Sequence, residues 1–331
     1  MLIIRQEDVY GLLPMDECMS VMADALITLA GGGCVNPLRP MLRVPGQRGI
    51  LGMMPAYLDA PESLGVKLIT VFNANHGTEY DSHQGVVLLF EATHGSPVAM
   101  IDASAITAIR TAAVSGIATR ALANENAGDL CIIGSGVQAH THLEALMLAR
   151  TPRRVRVWSP SAGNAKSFAS SASRARGIDI EVMPSAREAV VGADIICTVT
   201  SSRTPVLESS WVAAGAHINA VGSSVASARE IDSDTVARAR LFVDRRESTL
   251  NESGDFLIPK AEGRFGDEHI RAELGDVLSG VADGRRSARD VTLFKSLGLG
   301  AEDVAAAHRI TANARAKGIG LDVDLGGRKT G

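Results

Sequence analysis

The 331-residue chain has only four cysteines, Cys18, Cys34, Cys131 and Cys197, and they lie far apart. No paired spacing of the kind used by a zinc site or a redox motif occurs among them, so they are expected to be reduced and mostly buried, with no metal centre. No apolar run approaches the roughly 20 residues that cross a bilayer. The opening stretch MLIIRQEDVY meets a charge at Arg5 before it builds the apolar core of a signal peptide. An excess of charge of either sign is also missing. The formal net charge is −4, and groups such as Arg153, Arg154 and Arg156 read as a solvated edge rather than a nucleic-acid stripe. Internal repeats and low-complexity tracts are absent as well. These absences point to a cytoplasmic globular protein that binds neither nucleic acid nor membrane.

What is there has two textures, and the length suits two domains that each bury a core. From Leu2 to about Ala103 a helical pattern at Met15–Leu29 precedes three apolar stretches that read as strands: GILGMMPAYL, SLGVKLITVF and GVVLLFEATHGSPVAMI. The last breaks at His94-Gly95-Ser96-Pro97, a hairpin turn. A long helical pattern then starts after Ser104, read as its N-cap, and runs to about Leu122. From Asp129 the rhythm alternates: DLCII, VQAHTHLEALMLA, RVRVW, AGNAKSFASSASRA, IDIEV, SAREAV, DIICTVT, AHINAVG and RLFVD. Alternation of this kind predicts a parallel sheet covered on both faces by helices. The fold class is therefore α/β: a Rossmann-type doubly wound parallel sheet plus a second, α+β domain. After Asp244 come helical segments, the apolar string VTLFKSLGLG, a helix near Glu302–Ala316 and a polar, glycine-rich tail.

Between DLCII and its following helix stands Gly134-Ser135-Gly136-Val137-Gln138-Ala139, a G-x-G-x-x-A spacing in strand-turn-helix context. Gly134 permits the sharp turn, Gly136 lets backbone approach a pyrophosphate, and Ala139 allows close helix–sheet contact. The helix would turn its free amides and the positive end of its dipole to the phosphates. The competing reading is a glycine turn in a doubly wound domain that binds something else. The end of the second strand, Val157-Trp158-Ser159-Pro160-Ser161, supplies neither the acid that bonds a ribose 2′-hydroxyl nor an arginine for a 2′-phosphate. With no cation there, NAD(H) is favoured over NADP(H), which stays open.

Charges in apolar surroundings are the other candidates for chemistry. Arg110 shares a helical stripe with Ile106, Ala113 and Ile117. An inward guanidinium needs an anion: a substrate carboxylate, an internal Asp or Glu, or water reached by snorkelling. Lys67 is the one charge in GVKLITVF, either a donor in a cleft or a solvated edge-strand lysine. Arg39 and Arg43, in NPLRPMLRV, are anion ligands or surface charges. His83, in DSHQG, reads first as a structural loop histidine.

These stretches, from about Asn36 to Ala307, resemble the ornithine cyclodeaminase/mu-crystallin family. The matching motifs are MPAY (Met54–Tyr57), GVKL (Gly65–Leu68), SHQG (Ser82–Gly85), TAIRTAAVS (Thr107–Ser115), IIGSGVQA (Ile132–Ala139), GAHINAVGSS (Gly215–Ser224), ESGD (Glu252–Asp255) and FKSLGLGAED (Phe294–Asp303). The resemblance implies a homodimer that pairs the sheets of its non-nucleotide domains, with the active site in the cleft between domains. It also implies that the last helices return to the first domain. The expected division is a substrate-binding and dimerisation domain at 1–118 and 305–331 around a dinucleotide-binding domain at 119–304.

By the same resemblance Lys67, Arg110 and Arg39 face the substrate, joined by Ser224 and Glu252. The implied cofactor contacts are Ser82, His83, Thr111, Gly134, Ser135, Gly136, Val137, Gln138 and Ser159. Thr198, Val199, Thr200, Val221, Gly222, Ser296 and Gly298 complete them. One position departs from ornithine cyclodeaminases, which carry an aspartate two residues after the glycine of the AVG strand. Here Gly222-Ser223-Ser224 puts a serine there, similar to the ketimine reductase branch, and a hydroxyl is no ionised base near neutral pH. The expected activity is NAD(P)H-dependent reduction of a 2-imino carboxylate to an L-amino acid, reversible as a dehydrogenation. Cyclic ketimines, the imine of pyruvate and iminosuccinate are the candidate substrates. Ornithine cyclodeamination and a nucleotide-dependent binding protein of mu-crystallin type are the alternatives.

Overall fold

The computed structural model describes residues 1–75 and 78–327. Two compact units emerge: Met1–Arg110 together with the chain from Leu299 on, and Thr111–Gly298. These compact units divide at 110/111 and 298/299. Ion pairs from Arg110 to Glu302 and Asp303 tie the two segments of the first unit together.

In the first unit the strands Ile50–Asp59, Glu62–Val71, His83–Phe90 and Pro97–Asp102 form an antiparallel meander. The expected hairpin turn joins the last two, with Gly95 at φ 76°. Leu2–Ile4 adds in parallel to Pro97–Asp102, and Cys34–Val35 and Met41–Arg43 pair with Ile50–Asp59. These additions were not read as strands because pieces of two or three residues carry no periodicity. One sheet face is covered by the helix Gly300–Lys317, which also packs on the helix Met15–Ala30. That face buries Met54, Ala56, Val87 and Leu89. Gly300 lets the helix start close to the sheet, since a Cβ there would meet the Met54 carbonyl oxygen at 2.8 Å. On the opposite face Leu64, Val66, Leu68, Val86, Leu88, Phe90, Val98 and Met100 stay half-exposed.

The helix Ala103–Leu122 begins one residue before Ser104. Its N-cap is Asp102, whose Oδ1 accepts from the amide of Ala105 at 2.8 Å, while the Ser104 hydroxyl donates to the His83 carbonyl. Aspartate caps as well as serine does, so the pattern could not separate neighbours.

The second unit carries a parallel sheet ordered Ile180–Val182, Arg154–Trp158, Asp129–Ile133, Ile195–Thr198, His217–Ala220, Thr292–Lys295, Arg240–Val243, Ile270–Glu273. Leu130 and Ile132 turn to one face, under Leu143 and Phe168, while Cys131 and Ile133 turn to the other, in a cluster with Val236 and Phe256. Period-2 alternation between two apolar layers is what doubly wound strands require. Two strands were not expected: Ile270–Glu273, and Thr292–Lys295 from the apolar string, which inserts between strands formed earlier in the chain. Cys18, Cys131 and Cys197 are buried thiols, as expected, and Cys34 is half-buried. Burial pushes the Cys131 thiol up to about 12.

Candidate active site

In the first unit Lys67 leaves the middle of its strand on the helix-covered face and is 2% exposed. Its Nζ lies 2.6 Å from Oδ2 of Asp303, in the first turn of the helix Gly300–Lys317. Arg110, 4% exposed, donates from Nε to the other oxygen of Asp303 and from one terminal nitrogen to Glu302, both at 2.9 Å. Arg110 points inward and meets internal carboxylates through Nε and one terminal nitrogen; the solvated reading of Lys67 is excluded by burial. Acids in a first helical turn are favoured by the dipole, and here they also neutralise two buried cations.

A third cation stands beside them. Arg39 is half-buried and near enough to disfavour the charge on Lys67. Its segment is tied to the same helix: the Asn36 side-chain oxygen accepts from the Ala301 amide at 2.8 Å. Lys67, Arg110 and Arg39 thus gather around the Asp303 and Glu302 carboxylates. Burial first, then Arg110 and Arg39, push the Lys67 ammonium down to about 8, against the pull of Asp303. Arg43, by contrast, is exposed on its short strand. Ser82 and His83 stand at the start of the His83–Phe90 strand, where the Ser82 hydroxyl and His83 Nδ1 lie 3.0 Å apart.

In the second unit the glycine turn lies at the carboxyl ends of the parallel strands, where the strand order reverses between Asp129–Ile133 and Ile195–Thr198. Such a switch point is where doubly wound sheets bind nucleotides. Gly134 has φ 124°, and a Cβ on it would meet the Val199 carbonyl at 2.7 Å. Nothing lies within 4 Å of the Cβ position of Gly136, the N-cap of the helix Val137–Ala149. A closed turn followed by an open N-terminus fits a pyrophosphate. Ser135 donates to Ser159 at 3.0 Å, joining the first turn to the end of the second strand.

Thr198, Val199, Thr200, Val221 and Gly222 are drawn together by a carboxylate that sequence reasoning missed. Glu230 accepts from the Thr198 and Thr200 hydroxyls and from the Thr200 and Gly222 amides, at 2.6–2.9 Å. It is fully buried, which pushes its carboxyl up, while the Thr200 bonds pull it back. A Cβ on Gly222 would meet the Thr200 carbonyl at 2.1 Å. Behind Glu230, Asp255 accepts from the Glu230 and Ile231 amides and pairs with buried Lys295 at 2.9 Å. Lys295 donates to the Ser223 carbonyl at 2.5 Å. Ser224, half-exposed, therefore sits on a loop fixed on its inner side.

Ser296 is buried next to Lys295. Gly298, at φ 79°, donates to Asp244 at 2.8 Å. Glu252 ends the helix Arg246–Glu252, and Thr111 opens the second unit. The missed residues, Asn36, Glu230, Asp255, Lys295, Glu302 and Asp303, share one property. Each is polar and would be exposed by default, and only pairing across the fold makes it internal.

The match to the family model for the ornithine cyclodeaminase/mu-crystallin family covers residues 1–318. Mouse ketimine reductase mu-crystallin is 44% identical over 276 residues, 83% of this chain and 84% of that protein. Among solved structures, Thermococcus litoralis Δ1-pyrroline-2-carboxylate reductase in complex with NADH and L-proline superposes with a TM-score of 0.95. It is 39% identical, covering 98% of this chain and 100% of that one. An archaeal alanine dehydrogenase dimer with bound NAD gives 0.93 at 33% identity, covering 98% of this chain and 99% of that one. With its two sites laid out as above and residues 1–318 matched, the chain belongs to the ornithine cyclodeaminase/mu-crystallin family.

Proposed function

We propose that the chain is an NAD(H)-dependent imino acid reductase that converts a 2-imino carboxylate into an L-amino acid and runs in reverse as an amino acid dehydrogenase. The observation that carries this reading is the group of Lys67, Arg110 and Arg39, with Lys67 and Arg110 buried and joined through Asp303. Relatives named as ketimine and pyrroline-2-carboxylate reductases support it, as do solved relatives holding NADH or NAD. Cyclic ketimines are the first substrates to test, with the imine of pyruvate and iminosuccinate after them. A second carboxylate would call on Arg43.

Arg39 and Arg110 hold the substrate carboxylate through charge-assisted bonds, fixing the C=N carbon and gaining rate through alignment. The Gly134–Gln138 turn, Ser159 and the Thr198–Thr200 and Val221–Gly222 ends would hold the dinucleotide, whose reduced nicotinamide supplies hydride when bound. Lys67 gives a proton to the imine nitrogen and is reprotonated from solvent. An ammonium titrating near 8 is a competent acid near neutrality. Ser224 orients the nitrogen or a water. Cyclodeamination of ornithine is disfavoured by that serine, which supplies no ionised base. A mere binding role is disfavoured by the retained proton donor.

The half-exposed apolar sheet face of the first unit fits a homodimer. A cytoplasmic location fits four cysteines held as thiols. The test is a screen of imino acids with NADH and with NADPH, alongside ammonia release from L-ornithine. NADH-dependent imine reduction without ornithine turnover is expected. Lys67→Ala and Arg110→Ala should each lower kcat/KM more than tenfold; if both stay within tenfold, the assignment of roles fails.

A further inference from the structure

We propose that Asp303 is the positioning carboxylate of this reaction, aligning Lys67 with Arg110 and holding the Lys67 ammonium charged until the substrate takes its proton. The inference rests on the reading of Lys67 as proton donor and adds a residue that the motifs did not assign. Its two oxygens are divided between the two cations: Oδ2 to Lys67 at 2.6 Å and Oδ1 to Arg110 at 2.9 Å. The distance between the proton-donating nitrogen and the carboxylate-binding guanidinium is thereby set by one side chain. That side chain is itself fixed, fully buried in the first turn of a helix whose amide at Ala301 is capped by Asn36.

Lys67 has few other influences. From the helix Gly300–Lys317 it faces Asp303, from the helix Ala103–Leu122 Arg110, and from the segment after Asn36 it faces Arg39. Its neighbours on the flanking strands are Met54 and Val87, which do not titrate. Glu302 pairs with Arg110, and Cys18, whose thiol burial pushes well up, faces that pair rather than Lys67. Burial and two nearby guanidinia drive the ammonium towards its neutral form, and Asp303 alone among these groups opposes them. A substrate carboxylate docking on Arg110 and Arg39 adds a second opposing charge. Lys67 is then fully protonated when the imine arrives. Transfer leaves Lys67 neutral, the nitrogen gaining the proton as carbon gains the hydride.

The experiment is the pH dependence of kcat/KM for reduction of the best imine by NADH, from pH 6 to 10, in the wild type, Asp303→Asn, Asp303→Glu, Glu302→Gln and Lys67→Met. Substrate titration is common to all, so only differences between profiles are read. In Asp303→Asn the alkaline limb should move at least one unit towards acid, with the loss of rate larger at pH 8 than at pH 6. Glu302→Gln should keep the wild-type limb and change KM. A uniform loss at every pH, with the limb unmoved, would overturn the proposal and make Asp303 structural. Melting temperature and NADH affinity report whether each variant is folded. If Asp303→Asn is not, Asp303→Glu decides: the limb stays and kcat falls several-fold as Nζ is displaced, whereas a wild-type kcat overturns positioning. Lys67→Met separates the two readings, since a retained limb and rate there would remove Lys67 itself as donor.

Discussion

Arg110 is held as a fork. Its Nε and one terminal nitrogen reach two different carboxylates, an arrangement lysine's single ammonium cannot reproduce. Arg110→Lys should therefore break the bond to either Glu302 or Asp303 in a site where both are fully buried. Removing one partner from a buried pair costs about 3–5 kcal/mol, and a retained positive charge recovers part of that. The expected outcome is a loss of about 2–3 kcal/mol in denaturant unfolding and a KM raised at least tenfold, with kcat reduced less. An unchanged KM would show that this guanidinium does not bind the substrate.

That residue also shows where the sequence stops being informative. Its stripe with Ile106, Ala113 and Ile117 establishes that the charge points inward and needs an anion. The anions themselves lie 192 and 193 positions further on, in a first helical turn where acids are common because of the dipole. Nothing local distinguishes Glu302 and Asp303 from solvated acids. Glu230 is hidden in the same way, since its contacts with Thr198 and Thr200 come from residues 32 and 30 positions earlier.

At the scale of elements, long strands and helices were legible because their apolar period repeats. The Asp129–Ile133 strand, the turn and the helix Val137–Ala149 follow one another as read, and so do the strands of the first-unit meander. Thr292–Lys295 was not legible. An apolar run of this length suits a buried strand or a helix equally, and its place beside His217–Ala220 is settled by parallel pairing alone.

The glycine turn makes an element-scale prediction. At φ 124° a Cβ is strained, and at 2.7 Å from the Val199 carbonyl it must move backbone, not a side chain. Gly134→Ala should thus shift both the turn and the Val199 segment. A cost of about 1–3 kcal/mol in stability is expected for such a backbone conformation, with NADH affinity at least tenfold weaker by titration calorimetry. Substitution at Gly136, whose Cβ position is open, should spare stability. Equal stability losses at the two glycines would mean that the turn is not held as described.

At the scale of the whole molecule the question is what covers the outer face of the first unit's sheet. Leu88 stands at its middle, with Val66 and Met100 as cross-strand partners. Leu64, Phe90, Leu68 and Val86 surround them, half-exposed. An apolar patch of this kind marks an interaction surface, and the homodimer proposed above would cover it with two-fold symmetry. An isologous interface places every substitution in it twice. Leu88→Glu accordingly removes two leucines, each contributing about 1.5–3 kcal/mol when buried, and sets two carboxylates in an apolar contact. A loss of about 4 kcal/mol is enough to carry a nanomolar dimer to micromolar dissociation. In sedimentation equilibrium at micromolar concentration, wild type should have twice the chain mass and Leu88→Glu the mass of one chain. Because Leu88 faces away from the Lys67 side of the sheet, far-UV circular dichroism and NADH binding should survive. A wild-type protein of single-chain mass would show that something other than a second copy covers this face.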